Sequence, residues 1–197
     1  MMEQREKLQE QIRRYRPWNE QEAADREQLL AALSLDDIFL RDNKAAHMTA
    51  SAWTVNPAGD KILMVYHNIF DSWSWLGGHA DGDTDLLAVA VREVREESGI
   101  TKVMPLSEEI FSLEILTVDG HEKKGCYVPS HLHLNVTYLL QADDGAALSV
   151  KPDENSGVAW FTPKGAVQAS TEPWFQERIY GKLNRKLEAW QALRQPV

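Results

Sequence analysis

Between Leu86 and Ser98 the chain reads LLAVAVREVREES, and its acids fall where a helix should be dry. At ~100° per residue, with Glu93 set at zero, Leu86, Ala90, Val94, Leu87 and Val91 lie at roughly 20°, 60°, 100°, 120° and 160°, one apolar face. On the same wheel Glu96 lies at roughly 300° and Glu97 at roughly 40°, so three carboxylates share an arc of about 100°. Glu97 then sits between Leu86 and Ala90, on the side that should be buried. A buried acid costs on the order of several kcal/mol unless it is paired or bound to a cation. Three together also repel one another, and a divalent cation removes that penalty. The everyday alternative for such a run is a solvated face with an ordinary Arg92–Glu96 pair. The preceding residues weigh against it. Gly77 and Gly78 let backbone approach a ligand closely, and a carbonyl there can join carboxylates around a hard cation.

The rest of the chain supplies a frame for this segment. Leu8, Ile12 and Tyr15 have helical spacing on a charged stretch, which predicts a helix over 2–15 that Pro17 stops. Asn19 and Glu22 form a capping-box pattern for a second helix to about Leu33. His47–Asn56 and Lys61–His67 flank a turn, Asn56-Pro57-Ala58-Gly59-Asp60, and read as a hairpin. The glycine-rich stretch 77–82 leads into a helix over 83–98. Further strands are expected at 108–118, 131–141 and 158–161, and a last helix within 173–194. Hairpins together with β-to-α connections indicate an α+β (mixed α/β) chain. The expected organisation is a single domain, 1–197. It has a helical extension at 1–42, a core at 43–170 and a C-terminal helix at 171–197.

Composition narrows the partners. Lys and Arg number 21 against 30 Asp and Glu, a net charge of −9, which disfavours broad nucleic-acid binding. A phosphate-bearing substrate stays compatible, because a metal cation can stand between acids and phosphate. Cys126 is the one cysteine, so no disulfide forms within the chain. The start mixes acids and bases without an apolar stretch, and no run approaches the roughly 20 residues that span a bilayer. A cytoplasmic protein without a membrane partner is expected.

Gly78, position 84 and the run Arg92-Glu93-Val94-x-Glu96-Glu97-x-Gly99-Ile100 together resemble the signature of the Nudix hydrolase family (MutT-like). That signature reads Gly-x5-Glu-x7-Arg-Glu-U-x-Glu-Glu-x-Gly-U, with U a bulky apolar residue. Thr84 stands where the family has Glu; the other defined positions match. The flanks at 47–53, 73–79 and 153–161 are also similar to bacterial Nudix proteins. The resemblance implies an α/β/α sandwich with a mixed sheet, the box 78–100 forming a loop, helix and loop. It implies hydrolysis of a diphosphate linkage in a nucleoside diphosphate joined to a group X, a nucleotide-derived substrate, with Mg²⁺ or Mn²⁺ and a water nucleophile. By position Glu93, Glu96 and Glu97 would be metal ligands, aided by the Gly77 carbonyl. Arg92, Gly78 and Gly99 would be structural. Glu97 is one candidate base, and Glu154, before the late strand, is another.

Thr84 raises an alternative, a Nudix-like module that binds a nucleotide without cleaving it. A third reading is an isoprenoid-diphosphate isomerase, whose catalytic-cysteine motif the surroundings of Cys126 do not resemble. His79 follows the double glycine and could face a phosphate. His131 and His133 alternate on a strand, share a face and could contact substrate or a soft metal. Trp73 and Trp75 read as packing residues. The apolar stripe Phe175, Ile179, Leu183, Leu187 and Trp190 reads as a packing face or the contact of a homodimer.

Overall fold

In the computed structural model, which describes residues 2–123 and 125–194, two helices precede the sheet: α1 (Met2–Arg14) and α2 (Glu20–Ala32). Asn19 caps α2 by accepting from the Glu22 amide, as the capping pattern predicts. Strands β1 (Ala46–Val55), β2 (Ile62–His67), β3 (Ser72–Ser74) and β4 (Leu76–His79) then lead into α3 (Leu86–Ser98). They are followed by β5 (Val103–Pro105), β6 (Ser112–Val118), the hairpin β7 (His121–Lys123) and β8 (Cys126–Val128), and β9 (His131–Ala142). The chain closes with β10 (Asn155–Phe161), α4 (Pro163–Ala169), a π-helical segment Phe175–Tyr180 and α5 (Gly181–Ala192).

Among the described residues, eight strands form one mixed sheet in the order β10-β2-β1-β9-β5, with β3 on β2, β4 on β1 and β6 on β9. β1 and β9 run parallel through its centre, His47 opposite His133 and Val55 opposite Gln141. The expected β1–β2 hairpin pairs only next to its turn, Val55 opposite Ile62, because β4 takes the β1 edge from Thr49 to Ala52. Residues 77–79, expected as loop, are thus strand.

The side-chain period of two sorts the sheet into two faces. Met48, Ala50 and Ala52 of β1 and Leu134, Val136 and Tyr138 of β9 join Leu8, Ile12, Leu29, Val89, Ala90 and Val94 in one core. Trp53, Val55 and Leu139 face the other way, onto Ile179, Tyr180, Leu183 and Leu187. Helices therefore cover both faces, and the C-terminal stripe is spent on this chain's own sheet. Trp73 and Trp75 pack edge-on to Phe161 and Phe175. Among the described residues no helix is long and apolar enough to cross a membrane.

Several boundaries differ from the sequence reading. The box helix begins at Leu86, not at residue 83, because Asp85 accepts from the Ala88 amide and Asp83 from the Asp85 amide. Thr84 consequently precedes the helix instead of lying in its first turn. The 108–118 strand starts at Ser112, the late strand at Asn155, and the last helix opens with a π-helical turn.

Candidate active site

The second sheet face changes character along its strands. On β1 the residues running toward its start are Trp53, Ser51, Thr49 and His47; on β9 they are Leu139, Thr137, Asn135, His133 and His131. Beyond the apolar core His47, Thr49, Ser51, His131, His133 and Asn135 floor a cavity of about 520 Å³. A nucleotide-sized ligand is within the range such a volume takes. Asn135 organises the floor: its Oδ1 accepts from Thr49 Oγ1 and Ser51 Oγ, each at 2.9 Å, and its Nδ2 donates to Glu114 at 3.2 Å.

The box acids reach the same cavity. Glu97 is 3% exposed, on the buried face of α3 with Leu86, Val89, Ala90 and Val94. Leu87 and Val91, expected on that face, are only half-buried. The Gly77 amide donates to Glu97 Oε2 at 3.0 Å. A Cβ on Gly78 would stand 2.5 Å from the Glu93 carboxyl carbon, so only glycine lets Glu93 lie against the strand. Gly99 ends α3 with φ of 77°, a left-handed cap conformation open to glycine.

Glu154 arrives from a different element. Residues 151–154 make a turn closed by the Glu154 amide on the Lys151 carbonyl, and Asn155 ties that turn to α3 by donating to the Glu97 carbonyl at 3.1 Å. Lys151 Nζ stands 2.9 Å from Glu154 and 3.2 Å from Glu96. Arg92 lies 3.4 Å from Asp83, 3.7 Å from Glu93 and 4.0 Å from Glu96. The structure therefore brings Glu93, Glu96, Glu97 and Glu154 to one end of the cavity, with Lys151 between two of them.

Electrostatics follow from this crowding. Burial pushes the Glu97 carboxyl well above the usual carboxylate range, and Glu93 and Glu154 push it further against the Gly77 hydrogen bond. Burial and then Glu96 raise Glu93 as well. Around Lys151, partial burial favours the neutral amine, but Glu154 and Glu96 outweigh it and hold the ammonium.

A second group of lining residues is built of imidazoles. His79, His131 and His133 come together there with His47, which the sequence reading did not single out. Burial first, then the neighbouring histidines, lower His133 to about 2, so it is neutral. Asn135, Glu114 and Lys151 were also missed. The pairing of β1 with β9 that groups them is a contact between distant segments, and the only local signal was alternation within each strand.

A NUDIX domain signature matches residues 45–183. No curated protein matches the chain in sequence. Among solved structures, a C. elegans Ap4A hydrolase in a binary complex resembles it with a TM-score of 0.50 at 20% identity, over 74% of this chain and 97% of that one. A NUDIX-family hydrolase from Clostridium perfringens gives a TM-score of 0.50 at 20% identity, over 73% and 97%. The M. smegmatis Nudix hydrolase RenU gives 0.50 at 13% identity, over 77% and 89%. At these identities the neighbours speak for the fold. The domain match takes in the sheet, both walls of the cavity and the turn that carries Glu154, and by it the chain belongs to the Nudix hydrolase family.

Proposed function

We propose that this chain hydrolyses a diphosphate linkage in a nucleoside diphosphate joined to another group, with Mg²⁺ or Mn²⁺. The observation that carries the reading is the gathering of four carboxylates at one end of a nucleotide-sized cavity. Their donor atoms are all oxygens, which suit a hard cation. Glu97 is buried with its charge disfavoured by Glu93 and Glu154, and Lys151 already occupies a place where positive charge is welcome. The residues therefore fit such an ion. Glu93, Glu96 and Glu97 would hold it with the Gly77 carbonyl, and it would supply charge neutralisation on the phosphate oxygens and a positioned water.

The chain's own groups do the rest. Gly77 orients the Glu97 carboxylate, and Arg92 restrains Glu93 and Glu96 from the side. Lys151, swung from its carboxylates, can meet a phosphate oxygen. Glu97, buried at the carboxylate end of the cavity, is one candidate for the proton acceptor. Glu154, held in a separate turn, is the rival acceptor, and single variants separate the two. Exposed Ile69 and Phe70 at the cavity mouth offer an apolar wall to the base or to the group X.

Thr84 weakens this reading little, because it stands outside the helix beside Asp83, whose carboxylate already engages Arg92. Phosphate release from a panel of nucleoside triphosphates, nucleotide sugars and dinucleoside polyphosphates, with Mg²⁺ or Mn²⁺, tests the proposal. Ligand-induced thermal stabilisation without turnover of any member would assign the chain to nucleotide sensing instead.

A further inference from the structure

Four of the six histidines share one wall of the cavity, on three strands. His47 on β1 is directly opposite His133 on the parallel strand β9, and His79 on β4 is opposite Thr49, two residues along β1. The ring nitrogens that His47, His79 and His133 can offer all lie within 4.8 Å of one another. His131 adds a fourth imidazole, its Nε2 3.2 Å from that of His133. Two nitrogens bound to one tetrahedral zinc at ~2.0–2.1 Å stand at about that separation.

The orientation of these rings is the second observation. His47 is 4% exposed, and its Nδ1 meets the Asn43 carbonyl at 3.1 Å. That carbonyl places the proton on Nδ1 and leaves Nε2 as a lone pair. His47 Nε2 is buried and has no hydrogen-bond partner among the described residues. His131 Nδ1 likewise meets the Pro129 carbonyl at 2.8 Å. A metal-bound histidine commonly gives its other N–H to a backbone carbonyl, which fixes the tautomer and aims the free nitrogen. A buried lone pair without a donor, in the middle of other imidazoles, has a cation as its natural partner.

We infer that His47, His79 and His133, with His131 beside them, form a binding site for a borderline transition-metal cation of the zinc class. Nitrogen donors select Zn²⁺ and its neighbours over Mg²⁺, whereas the carboxylate wall selects the reverse. The two walls of the cavity are thus chemically distinct, and a ligand between them would meet a hard ion at one end and a borderline ion at the other. Only one residue separates His79 from Gly77, whose amide orients Glu97, so the two sites are connected by a single strand. The inference stands independently of the proposed hydrolysis.

Chelator-stripped protein is titrated with Zn²⁺ in excess Mg²⁺, and bound zinc is counted by mass spectrometry after desalting. The expected result is one zinc per chain, at least 10-fold weaker in His47→Gln and His133→Gln and unchanged in Glu93→Gln. Circular dichroism confirms that each variant is folded. X-ray absorption at the zinc edge of the wild-type protein reads the ligands without any variant, and an imidazole-rich shell is expected. Failure of the wild type to retain zinc overturns the inference, as does an oxygen-only shell or zinc lost with Glu93→Gln but kept with His133→Gln. Phosphate release in the same preparations reports the hydrolysis reading separately.

Discussion

At the scale of single residues, Glu97 concentrates the tension between stability and function. Its carboxyl is raised in the fold, so its contribution is favourable while protonated and is lost as the pH rises through the folded value. Metal-free protein should therefore be strained at neutral pH by this group, and Glu97→Gln, which keeps an acceptor for the Gly77 amide, relieves it. We expect the variant to gain on the order of 1 kcal/mol in urea unfolding without metal. Its turnover should fall about 10²–10⁴-fold. A variant that loses both stability and turnover would mean that the carboxylate is part of the packing alone. Gly78→Ala tests the neighbouring contact: its Cβ displaces the Glu93 carboxyl, and we expect weaker Mg²⁺ or Mn²⁺ binding with the fold retained, read as a rise in the metal concentration giving half-maximal rate.

At the scale of elements, α3 shows what could be read from sequence. Its apolar spacing, the intrusion of Glu97 and the terminal Gly99 were all local, so the helix, its buried side and its end were legible. Its start was not, because Asp83, Thr84 and Asp85 all accept hydrogen bonds at helix starts, and only the geometry selects Asp85. Asp85→Ala should accordingly cost ~1 kcal/mol in thermal or urea unfolding, whereas Thr84→Ala costs little. The cavity floor was hidden for a different reason. His47, Asn135 and His133 become neighbours only when β1 lies parallel to β9, a register set across 86 residues between His47 and His133 and invisible in either strand. Lys182 and Lys186 were hidden likewise: on α5 they interrupt the stripe as ordinary solvated lysines would, yet Lys182 is fully buried.

At the scale of the whole molecule, those lysines belong to a buried ion network that joins the cavity floor through Glu114. Lys182 stands 2.9 Å from Glu114 and 3.1 Å from Glu22, and Lys186 stands 2.9 Å from Glu22. Tyr15 and Ser112 donate to Glu22 as well, each at 2.7 Å. Glu114 also takes the hydrogen bonds of Asn135 and Thr137, so the network continues into the floor itself. Lys182→Met leaves Glu114 buried without its cation and should cost ~3–5 kcal/mol by urea unfolding. Pairing it with Glu114→Gln should recover much of that loss, which a double-mutant cycle measures.

Acid should act on the same network. Burial alone would raise the Glu22 carboxyl, but Lys182 and Lys186 outweigh it and bring it from 4.5 to about 2. Its stabilisation is therefore complete above pH 4.5 and disappears as the pH falls to about 2. The loss amounts to ~3 kcal/mol, opposite in sign to the relief of Glu97. Unfolding free energies measured across that window, for wild type and Glu22→Gln, should diverge accordingly.

The family signature covers residues 45–183, whereas Glu22 lies before it and Lys186 after it. A chain trimmed to the signature would strand Lys182 with half of its counter-charge and uncover the apolar sides of α1 and α2's docking surface. Such a piece should express poorly or clump, so the gene fragment chosen for any laboratory work has to carry α1, α2 and the whole of α5 along with the recognised domain.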